Sequence, residues 1–179
     1  LITALCIKLY DGGPVFYTQD RLTRDGKVFK VYKFRSMKTD AEKDGVARLA
    51  GEHDDRITPV GRVIRKVRID ELPQLLNILK GDMSIVGPRP ERPELAAENE
   101  KIMPEFRYRL KVKAGLTGYA QVLGKYNTTP YDKLRLDLMY IEQYSLLLDI
   151  KLILMTIKIL FIPESTEGVK DDNSSGTAL

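Results

Sequence analysis

Alternating polar and apolar positions mark two short runs near the start of the chain, and helical spacing takes over after them. Residues 15–21 and 28–35 read as strands joined by a loop containing Asp25-Gly26. On the second strand Phe29, Val31, Lys33 and Arg35 share one face, and Val28, Lys30, Tyr32 and Phe34 share the other. Neither face is cleanly apolar, so Lys33 and Arg35 are candidates for a site rather than for bulk solvent. Asp11-Gly12-Gly13-Pro14, ahead of the hairpin, is a turn signal. The charged stretch 38–56 begins as a helix and ends as a loop.

Thr58-Pro59 predicts a helix start, with Thr58 as cap and Pro59 at the first helical position, running to residue 67. Arg62 and Arg65 fall on one of its faces. A second helix is expected over 70–79, with Asp70 as N-cap, Leu72, Leu75, Leu76 and Leu79 as a buried stripe, and Gly81 as the C-terminal signal. Residues 83–86 read as a short strand, and the proline-rich 87–93 cannot be regular structure. A helix over 94–108 is interrupted at Pro104. Gly115-Leu116-Thr117-Gly118 reads as a turn leading into a strand over 119–122. The pattern is then helical from 131 to 161, and a polar, loose tail fills 163–179. There is no internal repeat.

Residues 146–162 hold 13 apolar positions out of 17, interrupted by Asp149, Lys151, Thr156 and Lys158. A spanning helix would carry three charges, each costing roughly 2.5–3.5 kcal/mol at the bilayer centre. Its length is also at the lower limit for a span. An interfacial helix, with its lysines toward headgroups and leucines toward acyl chains, fits better. An amphipathic helix packed on the domain's own core carries equal weight. The opening run, Leu1-Ile2-Thr3-Ala4-Leu5-Cys6-Ile7, is too short to span; it reads as the end of a longer hydrophobic segment or as an ordinary core element.

The 179 residues suffice for one domain. A single cysteine, Cys6, excludes an internal disulfide framework and a cysteine-based zinc site. One histidine, His53, in a polar run, argues against histidine-rich metal sites and a Ser-His-Asp triad. The net charge of +4 is not spread evenly: between Arg56 and Arg92 eight basic residues face four acidic ones, a surplus equal to that of the whole chain. That segment contains Asp70-Glu71-Leu72-Pro73, two adjacent carboxylates among arginines. A positive field around an acid pair suits an anionic substrate.

An aspartate can attack phosphorus as a covalent nucleophile once cations neutralise the approaching phosphate. Arg65, and Arg89 in the loop Gly87-Pro88-Arg89-Pro90-Glu91-Arg92, are placed for this, and guanidinium groups grip phosphate in bidentate fashion. With Asp70 at a helix N-terminus, the helix field would favour the ionised carboxylate and a phosphate bound to it. Glu71 could hold a divalent cation or shuttle a proton, and Mg²⁺ suits hard oxygen ligands and substrate phosphates. Plain helix capping by Asp70 and a solvated first-turn Glu71 remain the bland readings, but they leave the surrounding arginines unexplained.

At these residues the chain resembles the bacterial sugar transferases, monotopic polyprenol-phosphate phosphoglycosyltransferases. The resemblance covers residues 1–162. It rests on Gly13-Pro14-Val15-Phe16 with Gln19 and Arg21; Lys33-Phe34-Arg35-Ser36-Met37; Asp70-Glu71-Leu72-Pro73-Gln74; Gly81-Asp82-Met83-Ser84-Ile85-Val86-Gly87-Pro88-Arg89-Pro90; Gly115-Leu116-Thr117-Gly118; and Asp137, Tyr140 and Asp149. Each block is weak alone, and their order and spacing are specific. It implies an α/β catalytic domain over 1–162, mostly helical with a small β-hairpin, membrane-associated through interfacial amphipathic helices. Residues 1–9 would be the end of a re-entrant membrane helix, and 163–179 a polar tail.

The implied reaction moves a sugar-1-phosphate from a UDP-sugar to undecaprenyl phosphate with release of UMP, the first membrane step of glycan assembly. Asp70 matches the nucleophile that forms a covalent phospho-sugar intermediate, Glu71 its acid partner, and both the Mg²⁺ ligands. Lys33, Arg35, Arg65, Arg89 and Arg92 are the expected substrate-binding residues. A ping-pong order follows, because both substrates would use the same carboxylate in turn. The implied location is the bacterial inner membrane with the catalytic face in the cytoplasm, on an anionic membrane surface, and a homodimer is compatible with it. The chain departs from many relatives at Tyr119-Ala120, where they carry a bulkier pair.

Two other classes compete. A basic module binding anionic lipid or nucleic acid would interleave aromatics with its basic residues. There is no aromatic between Arg56 and Arg92, which argues against nucleic acid. A catalytically silent membrane scaffold would dock partner enzymes through the 146–162 helix.

Overall fold

The computed structural model describes residues 1–41, 54–124 and 128–160. The expected loop ending the 38–56 stretch, His53 and the polar tail lie largely or wholly outside the described residues. As expected, the fold is α/β, mostly helical with small sheets. The expected hairpin forms as β1 (Phe16–Leu22) and β2 (Val28–Phe34), antiparallel with Phe16 opposite Phe34 and Leu22 opposite Val28. Its reversal uses left-handed backbone at Asp25 and Gly26 (φ 60° and 75°), which glycine adopts without cost and aspartate tolerates. Phe29 and Val31 point inward and pack with Met83.

The hairpin is tied at both edges. Helix α1 (Ile2–Asp11) ends at Asp11, and the buried Arg35 guanidinium donates to both carboxylate oxygens of that residue. Arg35 Nε also donates to Pro14 O at 2.6 Å. Helix α2 (Pro59–Lys66) starts as predicted: the Thr58 hydroxyl accepts from Gly61 N–H at 2.9 Å. Gly61 lies so close to Ser36 O that a Cβ would sit 1.9 Å from it, so this approach requires glycine.

Helix α3 (Gln74–Leu79) reverses the expected burial. Its buried residues are Gln74 and Asn77, whereas Leu72, Leu75, Leu76 and Leu79 stand outward, Leu79 at 83% exposure. The reason is the second edge of β2. Tyr32 N–H donates to Asn77 Oδ1 at 3.0 Å, and Asn77 Nδ2 donates to Lys30 O at 2.8 Å. One buried amide thus does the work of a neighbouring strand, satisfying backbone groups that must be paired when buried. Leucine spacing defines a helix face but not the direction in which it points.

A second sheet pairs β3 (Ser84–Val86) in parallel with β4 (Gly115–Thr117). The crossover between them is α4 (Pro93–Ile102) followed by a 3₁₀ segment, Pro104–Lys111, so the expected break at Pro104 is real. The expected strand over 119–122 is instead helix α5 (Tyr119–Leu123), and the segment read as a turn is the strand. Gly115 serves close approach: a Cβ there would fall 2.1 Å from Gly87 N. The long C-terminal helix is two helices, α6 (Pro130–Glu142) and α7 (Leu146–Leu160). Ser145 ends the break by accepting from Leu148 N–H at 3.3 Å.

Tyr140 on α6 joins both helices to β3. Its hydroxyl donates to Asp149 Oδ1 at 2.9 Å, within reach of Val86 O at 3.3 Å. Leu148 and Leu152 of α7 pack on Val86 and Tyr140, while Leu147 and Leu154 are exposed, so this helix has a core face and an outward apolar face. A third cluster gathers Ala96, Phe106 and Leu134. Among the described residues no helix is long and apolar enough to cross a membrane.

Replacing Asn77 by Ala leaves Tyr32 N–H and Lys30 O without their partner. The expected loss is about 2–6 kcal/mol in denaturant unfolding, from two orphaned groups at roughly 1–3 kcal/mol each. Asn77→Asp should rescue little, since it restores only the acceptor and sets a carboxylate against Lys30 O. Unchanged midpoints for both variants would contradict this account of the β2 edge.

Candidate active site

After α2 the chain turns sharply. Arg68 adopts left-handed backbone (φ 55°), and Ile69–Glu71 forms one 3₁₀ turn in which Leu72 N–H donates to Ile69 O at 3.1 Å. Pro73 has no N–H to extend this turn into an α-helix, so α3 begins only after it. Asp70 is therefore not the N-cap of a ten-residue helix. The expectation that a helix N-terminus holds its carboxylate ionised does not apply.

What acts on the pair is its set of side-chain neighbours. Glu71 Oε1 accepts from Lys33 Nζ at 2.8 Å and from Arg89 Nη2 at 2.7 Å. Lys33 comes from β2, Glu71 from the 3₁₀ turn and Arg89 from the loop after β3. Burial opposes the charge on Glu71, but Arg89 and Lys33 outweigh it and hold the carboxyl well below its ordinary range. Arg89 is held more firmly protonated than usual, chiefly by the charge of Glu71. Burial lowers the proton affinity of Lys33, and Glu71 offsets part of that.

Asp70 behaves oppositely. Burial and then the negative charge of Glu71 raise its pKa, with Lys33, Arg65 and Arg89 only partly compensating. Among the described residues its carboxylate has neither a hydrogen bond nor an ion pair. The site thus presents one carboxylate with two cations on a single oxygen beside one whose oxygens have no protein partner.

Of the expected binding residues, Lys33 and Arg89 meet at Glu71. Arg65 on α2 acts on Asp70 through its charge. Arg35 is engaged with Asp11 and Pro14 instead of the acid pair. Arg92 sits at the N-cap of α4. No group of three or more His, Cys, Asp or Glu side chains converges among the described residues. Asp70 and Glu71 nonetheless fit Mg²⁺ as a donor set: two adjacent hard carboxylates supply part of its shell and leave the rest to water and phosphate.

Beside the pair opens an apolar cleft of about 230 Å³, lined by Glu71 and Arg68 together with Leu72, Ile85, Ile153 and Ile157. It runs from the 3₁₀ turn of the acid pair to α7. Sequence reasoning missed Arg109, a buried arginine remote from the acid pair in sequence and with no local signal. It gave Asp137 no role, although one signal existed. Leu134, Asp137 and Tyr140 recur on one buried face of α6, and a charge in the middle of a core stripe demands a partner.

The sequence profile of the family described as bacterial sugar transferase matches residues 1–163. The UDP-N-acetylgalactosamine-undecaprenyl-phosphate N-acetylgalactosaminephosphotransferase of Aeromonas hydrophila is 44% identical over 88% of this chain and 38% of its own length. The UDP-glucose:undecaprenyl-phosphate glucose-1-phosphate transferase of Escherichia coli K12 is 42% identical over 86% of this chain and 34% of its own. The exopolysaccharide production protein PSS of Rhizobium leguminosarum is 39% identical over 94% and 86% of the two chains. The chain thus spans about a third of the first two relatives and most of the third. A profile matched from the first residue to beyond the last described helix, with these identities, places the chain in the bacterial sugar transferase family.

Proposed function

We propose that this domain transfers a sugar-1-phosphate from a UDP-sugar to undecaprenyl phosphate through a covalent intermediate on Asp70. The observation that carries this reading is the division of labour in the acid pair: Glu71 gathers the cations, and Asp70 keeps its oxygens unengaged. Asp70 attacks the β-phosphorus of the donor. The bond from that phosphorus to the oxygen bridging the two phosphates breaks, and UMP leaves with the electron pair. A phosphate oxygen of the acceptor then attacks the same phosphorus, releases the Asp70 carboxylate and takes the phospho-sugar as a diphosphate. Both steps bring anion to anion, and Arg89, Lys33 and Arg65 supply the positive field that permits it. Asp70 and Glu71 would hold Mg²⁺, which supplies further neutralisation of the phosphates when bound.

The relatives' names support the lipid acceptor, and the apolar cleft beside Glu71 is where its first isoprene units fit. Leu72, Ile157 and Leu160 line this cleft, and the outward leucines of α3 and the exposed Leu147 and Leu154 of α7 add further exposed apolar surface. An exposed apolar area of this kind marks a partner or a membrane. We read it as the monotopic contact with the cytoplasmic leaflet of the bacterial inner membrane, with Lys151 and Lys158 toward anionic headgroups.

Intact-mass measurement after incubation with a panel of UDP-sugars and Mg²⁺, without lipid, should show a gain of one phospho-sugar that Asp70→Asn abolishes. No adduct with any donor, despite UDP binding, would sink the nucleophile assignment. The ionisation of Asp70 is a second expectation: with its pKa raised, its carboxyl in the metal-free protein, followed by NMR, should take up a proton at a pH above the ordinary aspartate value of about 3.9. A midpoint at or below that value would contradict the raised pKa. Flotation with phosphatidylethanolamine–phosphatidylglycerol vesicles should carry the protein upward. Leu75→Glu with Leu154→Glu should weaken this at least tenfold without lowering the melting temperature, and unchanged flotation would remove the membrane role of this face.

A further inference from the structure

Pro88-Arg89-Pro90-Glu91 contains two residues without an N–H, so it cannot pair as a strand. Each of its four carbonyls nevertheless accepts a hydrogen bond. Gly115 N–H donates to Pro88 O at 2.8 Å, and Leu22 N–H donates to Glu91 O at 2.9 Å. The two carbonyls between them are taken by guanidinium groups. Arg109 Nη2 donates to Arg89 O at 2.9 Å, and Arg21 Nη1 donates to Pro90 O at 3.2 Å. The Glu91 carboxylate lies between these arginines, 3.8 Å from Arg21 Nη1 and 3.6 Å from Arg109 Nη1.

Arg109 is itself fixed. It is 6% exposed, its guanidinium lies 4.8 Å from the Phe106 ring centre, and its Nη2 is 2.8 Å from Asp137 Oδ2. Asp137 is 1% exposed. Such a pair is a poor device for stability, because desolvation offsets most of the attraction. Burial pushes the Asp137 carboxyl up to about 6 even with Arg109 beside it. A leucine would fill the same space at less cost. What the charged pair provides and an apolar pair could not is a donor aimed at the main chain of residue 89, whose side chain reaches Glu71.

We propose that Arg109, anchored by Asp137, is a positioning residue: it fixes the backbone of Arg89 so that the guanidinium stands against Glu71, ready for the donor's phosphate. The inference rests on the phosphate-binding role given to Arg89 above. Arg109 and Asp137 touch neither carboxylate of the acid pair, so their effect passes through Arg89. Arg21 holds the neighbouring carbonyl in the same way. A guanidinium delivered on a stiff mount loses less freedom when it binds, and small misplacements of such groups are costly.

The test is steady-state kinetics of the full-length protein in nanodiscs, with UDP-glucose or UDP-N-acetylgalactosamine, whichever it turns over. Arg89→Ala, Asp137→Asn, Arg109→Lys and the double variant Arg89→Ala/Asp137→Asn are compared. Asp137→Asn keeps the shape and removes the charge. Arg109→Lys keeps the charge and loses the fork that reaches two acceptors at once. Asp137→Asn and Arg109→Lys should each raise the donor KM about tenfold while kcat moves less than threefold, whereas Arg89→Ala should raise the donor KM at least as far and lower kcat as well. In the Arg89→Ala background Asp137→Asn should add nothing, because its effect is already lost. Full multiplication of the two effects would overturn the positioning role, as would an Asp137→Asn enzyme of normal KM beside an impaired Arg89→Ala enzyme. An Arg89→Ala enzyme with unchanged donor KM would overturn the phosphate reading itself, and this inference with it. Should Asp137→Asn fail to fold, Arg109→Lys and its double with Arg89→Ala carry the same comparison.

Discussion

A carboxylate taken out of water needs cations held against it, and those of Glu71 come from far away in the chain: Lys33 from 38 positions before it and Arg89 from 18 after. The hairpin, the 3₁₀ turn and the proline loop are brought to one point by a single oxygen atom. Removing Glu71 would leave two cations facing each other, and removing either cation would leave the largely buried Glu71 carboxylate with only one partner. The remaining architecture reads as support for that meeting. Asn77 closes the edge of the strand that carries Lys33, and the glycine contact of the parallel pair sets where the loop bearing Arg89 begins.

The same arrangement explains why two neighbouring acids behave differently. With Lys33 and Arg89 bonded to Glu71, burial and a negative neighbour outweigh the cations around Asp70. An unshielded carboxylate is a poor resting state and a good nucleophile. Environments that push the proton affinities of adjacent groups apart are a common way of assigning them separate roles. Here the separation comes from which acid the cations can reach rather than from the residue type.

Much of this was legible in the chain, for physical reasons that differ by element. Thr58-Pro59 and the Asp25-Gly26 reversal are set by local sterics and hydrogen bonding, and both appear where the residues demand them. The charge surplus between Arg56 and Arg92 pointed to the segment in which Glu71 and Arg89 meet, because clustered charge is visible in composition. The failures are cases where distant partners decide. The leucines of α3 point outward because Asn77 is needed inside, and nothing within six residues reveals a strand edge awaiting a donor. Gly115 and Gly118 looked like a turn because glycine permits turns and close contacts alike, and only the presence of Gly87 across the sheet distinguishes them. Arg35 shares a strand face with Lys33, yet its guanidinium turns to Asp11 of α1, a partner 24 residues away.

That Arg35 clamp has a mechanical meaning. One guanidinium holds the last residue of α1, the carbonyl of Pro14 and, through its own backbone, the strand on which Lys33 sits two positions earlier. The turn between helix and strand has no slack of its own, because both its ends are fastened to the same side chain. Helix and strand are therefore tied through one side chain: α1 could not be reseated without either breaking the Arg35–Asp11 pair or carrying along the strand that presents Lys33 to Glu71.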